Sequence, residues 1–218
     1  MVKKLCESDM ERILDVERRA FIPSIQTTEE VIKRRLSRGH IYLGVESENE
    51  LVGTLAFRYA HFIPDFEDFI RKYPTFDDYA EKPNDSGANA VFVYSIGVVP
   101  NHRNAANARK LLDGALEETI KANMDFLVGD VRVPSYNGSH TNPDYEEFDE
   151  NEELHSAIDN YFKTGVLPPK KLTMQDPVAG FFLKVLLELK VLGITDKNFW
   201  KGDEPCGGHM VIVYLKTK

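Results

Sequence analysis

Apolar residues recur along the chain with two different periods, and this pattern predicts an alternation of helices and strands. Capping-box patterns at residues 8–11 and 27–30 each precede apolar residues at helical spacing, so they predict two helices near the N-terminus. Two apolar runs, 41–45 and 51–57, flank a short polar loop and predict an antiparallel strand pair. These first elements indicate a fold in which helices and strands are mixed.

The middle of the chain predicts a strand, a helix and a second strand in succession. The apolar run 90–99 is typical of a strand, and Pro100 prevents its continuation. Apolar residues then recur at helical spacing from about Asn104 to Ile120, and the run 126–133 predicts the next strand. Two strands joined through a helix in this way are expected to be parallel.

Two stretches, at about 58–89 and 134–175, lose the periodicity and are interpreted as insertions. The first is expected to contain one short helix at 66–73. The second is expected to contain a helix at 153–164 that Gly165 caps. Both insertions are expected to shape a binding pocket.

The C-terminal part predicts one more helix and two strands. Asp176 and the proline after it supply an N-cap and a first-turn residue for a helix that reaches about Lys190. Apolar runs at 191–194 and 209–215 predict strands. Because 218 residues with 42% apolar content can bury one substantial core, we predict a single domain, 1–218, of the α/β (α+β) class.

Composition and charge narrow the class of partner. The net charge of −8 disfavours a nucleic-acid partner and suits a cationic amine. Cys6 and Cys206 lie at opposite ends of the chain, and the six histidines include no pair four residues apart, so we predict no disulfide framework and no metal. Without a signal-peptide pattern or an apolar run long enough for a membrane span, a cytoplasmic protein with no membrane partner is expected.

The most specific pattern lies between Val93 and Ala108, where a strand is followed by a loop and a helix that begins with small residues. This stretch resembles the coenzyme-A-dependent N-acyltransferases of the GNAT superfamily. Their hallmark is a strand with a β-bulge, followed by Arg or Gln-x-x-Gly-x-Gly or Ala, and the matching residues here begin at Arg103. The predicted order of elements resembles the family throughout the chain. The resemblance implies the GNAT fold, a central mixed sheet with helices on both faces.

The resemblance also implies a cofactor site for acetyl-CoA, in which backbone N–H groups at a helix N-terminus bind the diphosphate. A methyl group at Ala106, where the family usually has glycine, is tolerated if that residue has a helical conformation. Nucleotide hydrolysis is disfavoured because no Gly-Lys-Ser/Thr motif is present. The cofactor-binding residues implied are Ile96, Gly97, Val98, Arg103, Asn104, Ala105, Ala106, Asn107 and Ala108.

For catalysis, the resemblance makes the backbone N–H of Val98 the candidate oxyanion donor. Tyr94 falls where relatives often have a glutamate base, but a phenol with a pKa near 10 is a poor base, so Tyr94 is interpreted rather as a lining or core residue and water as the proton acceptor. Many relatives also place an acidic tyrosine on the late helix, where this chain has Phe181 and Phe182, which donate no proton.

Candidate acceptor-binding residues are Asp130, Arg132 and Tyr136, at or beyond the end of the second parallel strand. Arg132 either binds a substrate carboxylate or pairs with the acidic second insertion. We predict an N-acetyltransferase that acts on a primary amine of a small molecule or amino-acid-like acceptor. The alternative is a non-catalytic acyl-CoA-binding module, and the family resemblance also makes a homodimer possible.

Overall fold

A computed structural model describes residues 2–103, 105–132, 152–175, 177–186, 188–197, 199–200 and 208–218. The predictions for Asn104, Tyr136, Asp176 and Cys206 fall outside these residues. By its contacts the chain divides into two compact units, and the prediction of a single domain stays a prediction. The first unit comprises Met1–Ile63, Asp77–Val128 and Lys216–Lys218, and the second comprises Pro64–Phe76 and Gly129–Leu215.

Helices and strands alternate along the described chain, as the hydrophobic pattern predicts. In chain order they are β1 (Val2–Leu5), α1 (Met10–Ala20), α2 (Glu29–Ser37), β2 (Ile41–Ser47), β3 (Glu50–Ala60), α3 (Phe66–Lys72), α4 (Phe76–Ala80), β4 (Ala90–Val98), α5 (Ala105–Lys121), β5 (Phe126–Arg132), α6 (Glu152–Thr164), α7 (Lys170–Thr173), α8 (Pro177–Val185), β6 (Lys190–Ile194) and β7 (Met210–Lys216). Among these described elements, no helix is long and apolar enough to cross a membrane.

The described strands form a seven-stranded mixed sheet with the order β1-β2-β3-β4-β5-β7-β6. Strands β1 to β4 are antiparallel neighbours, and β6 and β7 are also antiparallel. The backbone N–H of Asp125 donates to the carbonyl of Asn89 (2.7 Å), immediately before β5 and β4 begin. These two neighbouring strands therefore run in the same direction, and the predicted α/β class is confirmed.

In the first unit, helices cover both faces of the sheet. A Cβ on Gly97 of β4 would lie 3.1 Å from the Cβ of the last residue of α1, and a Cβ on Gly114 of α5 would lie 3.3 Å from Leu43 of β2. Gly97 is opposite Thr54, whereas Leu43 is opposite Leu55. Because successive residues of a strand point to opposite faces, α1 and α5 pack on opposite faces of the sheet.

The two predicted capping residues each lie one position before the observed N-cap. Thr28, not Thr27, caps α2, and its hydroxyl accepts a hydrogen bond from the backbone N–H three residues later (3.4 Å). The backbone N–H of Thr27 instead donates to the buried carboxylate of Glu17 (3.1 Å), which holds Thr27 outside the helix. At α1 the N-cap position is Asp9 rather than Ser8.

The first predicted insertion begins later than expected, because β3 continues to Ala60. The fully buried Arg58 interrupts the apolar pattern there, and its Nε donates to the carbonyl of Tyr79 (2.6 Å). The short helix expected at 66–73 is α3, whereas the five-residue α4 was not predicted.

The second insertion is described only from α6 onwards, and α6 matches the helix predicted at 153–164. Gly165 caps it as expected, with a left-handed φ of 73° and a backbone N–H that donates to the carbonyl of Tyr161 (2.7 Å). The helix predicted to reach Lys190 is wrong at its end, because α8 stops at Val185 and Lys190 already begins β6.

Candidate active site

Within the segment where β3 and β4 pair, β4 contains one more residue than β3. Ala56 of β3 is opposite Ser95, but the next residue, Phe57, is opposite Val93, so Tyr94 has no opposite residue in β3. An extra residue of this kind is a β-bulge. The bulge that the family resemblance implies is therefore present, and it lies at Tyr94.

The bulge determines which backbone groups of β4 face away from β3. The N–H of Val99 donates to the carbonyl of Val52 (2.9 Å), and the alternation of an antiparallel ladder then directs the N–H groups of Ser95 and Gly97 to β3 as well. The N–H of Val98 points to the opposite side. If the same residues paired without a bulge, Val98 would take the place of Val99 opposite Val52, and its N–H would be used in the ladder.

Arg103 binds the carbonyl of the same residue. Its Nε donates to the backbone oxygen of Val98 (3.2 Å), and its Nη2 donates to the backbone oxygen of Ala20 (3.0 Å) at the end of α1. A cation at a helix C-terminus is favourable, because the helix dipole is negative there. Arg103 therefore connects the end of β4 to the end of α1, and its cofactor contact stays a prediction.

The predicted phosphate-binding residues lie at the start of α5, which begins at Ala105, one residue later than expected. Ala106 is exposed and is not among the described non-glycine residues with positive φ, so its methyl group causes no backbone strain. The side chain of Asn107 is buried and donates to the carbonyl of His102 (3.1 Å). The first turn of α5 therefore presents backbone N–H groups and small side chains, an arrangement that fits a diphosphate.

Tyr94 is buried, and its hydroxyl is 2.9 Å from Nδ1 of His40. The other ring nitrogen, Nε2, is 2.9 Å from the carbonyl of Lys82, which only accepts hydrogen bonds, so Nε2 carries the proton. Burial lowers the pKa of His40 to about 4, and the neutral ring must then accept at Nδ1. The hydroxyl of Tyr94 therefore donates to His40.

An ion pair between the buried Arg35 and the half-buried Glu81 continues this hydrogen-bonded group. The guanidinium of Arg35 lies 4.6 Å from the centre of the Tyr94 ring, and its Nε donates to the carboxylate of Glu81 (2.7 Å). Arg35 also donates to the hydroxyl of Tyr42 (3.5 Å), which is hydrogen-bonded to Tyr94. All five side chains belong to the first unit.

The surroundings of Tyr94 affect the protonation of its phenol, on which any role as a base depends. Burial raises the pKa of the Tyr94 phenol well above its usual value, although the charge of Arg35 opposes this shift. A phenol that stays protonated does not accept a proton from an amine at neutral pH. Tyr94 is therefore a buried residue at the bulge, which fits the interpretation of a core residue, and a catalytic role for it stays a prediction.

Tyr79 holds the other side of the bulge. Its hydroxyl donates to the carbonyl of Val93 (2.8 Å), and both groups are buried. Sequence reasoning missed both Tyr79 and His40, because Tyr79 lies in a stretch interpreted as an insertion and His40 is 54 residues away from Tyr94. The one feature of the sequence that could have indicated His40 is its position as a polar residue immediately before β2.

His40 makes stability depend on pH, and the sign follows from its lowered pKa. Its pKa falls from 6.5 to about 4 on folding, so its contribution is complete above pH 6.5 and is lost as the pH falls towards 4. Between pH 7 and pH 5 we expect the free energy of unfolding to fall by about 2 kcal/mol because of this residue. Urea denaturation at both pH values measures the fall, and His40→Gln should make it smaller. An unchanged fall in His40→Gln would contradict the assignment.

The remaining predicted residues lie in the second unit. Asp130 and Arg132 are both half-buried in β5, two residues apart and so on one face of the strand. Phe181 and Phe182 lie in α8 with their ring centres 5.4 Å apart, and neither supplies the hydroxyl that a general acid needs. In the described part of the chain, no group of three or more His, Cys, Asp or Glu side chains is arranged to hold a metal ion. The acceptor roles of Asp130, Arg132 and Tyr136 stay predictions.

No protein-family model matches the chain, and no curated protein matches it either. Solved structures match its whole length. GphF, a GNAT-like decarboxylase in complex with isobutyryl-CoA, superposes with a TM-score of 0.71 at 18% identity, covering 100% of both chains. The loading GNATL domain of CurA from Lyngbya majuscula has a TM-score of 0.64 at 14% identity, covering 99% of this chain and 96% of the other.

The aminoglycoside 6'-N-acetyltransferase from Enterococcus faecium also matches, with a TM-score of 0.58 at 12% identity, covering 99% of this chain and 96% of the other. Identities this low carry information about the fold and not about the reaction. The bulged β4, the start of α5 and these full-length superpositions together show that the chain has the GNAT fold.

Proposed function

We propose that this protein is an acyl-CoA-dependent enzyme, and that its reaction is transfer of an acetyl group from acetyl-CoA to a primary amine. The observation that carries the proposal is the bulge at Tyr94, which turns the N–H of Val98 away from β3. A backbone donor that the ladder with β3 does not use can bind the thioester oxygen, on which negative charge develops as the amine attacks. Such a donor commonly lowers the barrier by about 3 kcal/mol.

The chemistry needs no nucleophilic side chain. The amine nitrogen forms a bond with the acyl carbon, the bond from that carbon to sulfur breaks, and the thiolate takes up a proton. Val98 stabilises the oxygen, and the first turn of α5 binds the diphosphate. Because Tyr94 stays protonated, the amine proton leaves through water.

The acceptor proposed is a small amine. The net charge of −8 favours a cation over an anionic polymer. Thiol release from acetyl-CoA, followed with a chromogenic disulfide over a panel of primary amines, tests the transfer directly. We expect release above the buffer rate with at least one amine. Binding of acetyl-CoA without release for any amine would instead support the non-catalytic module.

The phosphate-binding role of α5 has a test that separates binding from stability. Ala106→Asp places a negative charge in the first turn of α5. There the charge interacts favourably with the helix dipole and stabilises the helix, but it repels a diphosphate. We expect coenzyme A to bind at least tenfold more weakly to Ala106→Asp than to the neutral control Ala106→Asn, while the melting temperature of the Asp variant is equal or higher. Calorimetric titration and thermal melting measure the two effects. Equal affinities for coenzyme A would show that the diphosphate binds elsewhere.

A second candidate reaction is decarboxylation of an acyl-CoA. The observation that favours it is the missing proton-transfer chemistry: Tyr94 is a buried, protonated phenol, and Phe181 and Phe182 donate no proton. Loss of CO₂ from a carboxyl group β to the thioester breaks one C–C bond, sends the electron pair to the thioester oxygen and needs only a proton from water afterwards. The N–H of Val98 would serve this reaction equally well. GphF, with the same fold over its full length, is a GNAT-like decarboxylase.

One experiment distinguishes the two candidates. Malonyl-CoA, the simplest β-carboxyacyl thioester, is incubated with the enzyme without an amine, and its products are separated by mass. A decarboxylase gives acetyl-CoA with no free thiol, whereas a transferase leaves malonyl-CoA intact and gives free thiol only with acetyl-CoA and an amine.

A further inference from the structure

The second unit contains a pocket that the proposed reaction does not explain. Its volume is about 330 Å³, which is within the range of sites for small molecules. Residues of α3, α6 and the end of β6 contribute to it. The lining residues that matter below are Phe66, Tyr161, Phe162, Ile194, Thr195 and Asp196, and we call this the aromatic pocket.

Contacts within the second unit hold the walls of the aromatic pocket in place. A Cβ on Gly193 would lie 2.2 Å from the ring of Phe66, so this ring lies directly on the backbone of β6. The rings of Phe66 and Tyr161 meet edge to face at 6.5 Å, and those of Tyr161 and Phe162 do so at 5.4 Å. The pocket is therefore built from rings whose positions are set by one another.

The polar groups at this pocket include two acceptors, the phenol oxygen of Tyr161 and the carboxylate of Asp196. The hydroxyl oxygen of Tyr161 accepts a hydrogen bond from the backbone N–H of Ile194 (3.2 Å) and retains a second lone pair. Asp196, at the next turn of the chain, adds an exposed carboxylate to the lining. Aromatic faces carry negative electrostatic potential and attract cations. A carboxylate, a phenol oxygen and aromatic rings together favour a cation over a neutral or anionic ligand.

The rest of the pocket favours a ligand with an apolar body. Phe162 is 42% exposed, so a large apolar ring faces solvent beside the pocket instead of being packed in the core. Covering such a ring with an apolar group is favourable. We propose that the aromatic pocket binds a small hydrophobic ammonium ion, with its hydrocarbon part between Phe66 and Phe162 and its charged end towards Asp196.

Binding of phenethylammonium, a probe with one ring and one charge, tests the proposal without any coenzyme A. Its affinity is measured by calorimetry, and its position by amide chemical shifts in NMR spectra of the whole chain. We expect a dissociation constant of about 1 mM or lower, with the largest shifts at Ile194 and Thr195. The neutral analogue 2-phenylethanol should bind at least fivefold more weakly, and the anion 3-phenylpropionate should not bind.

Two variants separate the charged from the apolar contribution. Asp196→Asn should weaken the ammonium about fivefold and leave 2-phenylethanol unchanged, because an exposed carboxylate contributes modestly. Phe162→Ala should weaken both probes. Asp113→Asn and Ile120→Ala, which change an exposed carboxylate and an exposed apolar side chain on α5, are the matched controls and should change neither affinity.

Several outcomes would overturn the proposal: equal affinity for the alcohol and the ammonium, unchanged affinity in Asp196→Asn, or shifts confined to other residues. Because binding is measured without an acyl donor, failure of the proposed transfer reaction leaves this test intact.

Discussion

Val98→Pro should reduce the turnover of acyl-CoA about 100- to 1000-fold while the protein stays folded. Proline has no N–H, so the variant loses the proposed donor to the thioester oxygen, and loss of one such donor has an effect of this size. The N–H of Val98 is not used in pairing with β3, and thermal melting of Val98→Pro measures whether the variant stays folded. Turnover and coenzyme A affinity are measured on the same preparation, and the affinity should change by no more than a few-fold.

Two control variants make this result specific. Val98→Ala keeps the N–H and should retain most of the turnover. Val99→Pro removes the donor to the carbonyl of Val52 and should lower the melting temperature instead, since it breaks a bond of the ladder. If Val98→Pro keeps turnover within tenfold of the parent, or if Val98→Ala is equally impaired, the backbone of Val98 is not the donor.

Gly97→Ala should lower the free energy of unfolding by about 2 kcal/mol, a typical cost of overpacking in a core. A Cβ on Gly97 would lie 2.7 Å from the ring of Phe21 and 3.1 Å from the Cβ of Ala20, so the end of α1 or the strand must move. Urea denaturation measures the loss. Gly87→Ala is the matched control, because nothing lies within 4 Å of the Cβ that it adds.

A double-mutant cycle identifies the cause. Phe21→Ala removes the ring, so adding Gly97→Ala to it should cost at least 1 kcal/mol less than Gly97→Ala costs in the parent. Because Gly97 and Val98 are adjacent in β4, the turnover of the same variants shows whether a shift of the strand at position 97 affects the proposed donor. Full additivity of the two substitutions would mean that the ring of Phe21 is not what excludes a side chain at position 97.

Local patterns predict the elements of this fold well where the apolar period is regular. The run at 90–99 and the helix after Pro100 were both located to within one residue, because burial on one side imposes a period that the sequence displays. Local apolar patterns do not predict the buried position of Arg58. Its buried guanidinium donates through Nε to a carbonyl 21 residues away, and no local pattern contains that partner.

The residues of the candidate site also fall into those that a local motif implies and those that only distant contacts identify. The N–H of Val98 and the start of α5 follow from a motif of neighbouring residues, and both were named from the sequence. His40 and Tyr79, which hold the bulge, contact it from 54 and 14 residues away, so only the folded chain shows their role. The interpretation of Tyr94 as a core residue was reached from its chemistry alone, since a phenol is a poor base.

Because of the bulge at Tyr94, the direction of the Val98 N–H depends on how β4 pairs with β3 and not on the side chain at position 98. The extra residue shifts by one position the set of β4 residues whose N–H groups face β3 beyond the bulge, whereas replacing side chains there leaves this set unchanged, provided that position 98 is not proline. Substitutions in this segment should therefore preserve the direction of the Val98 N–H, although a side chain at Gly97 lowers stability. A donor that depends on strand pairing, and not on a particular side chain, is compatible with extensive divergence of sequence.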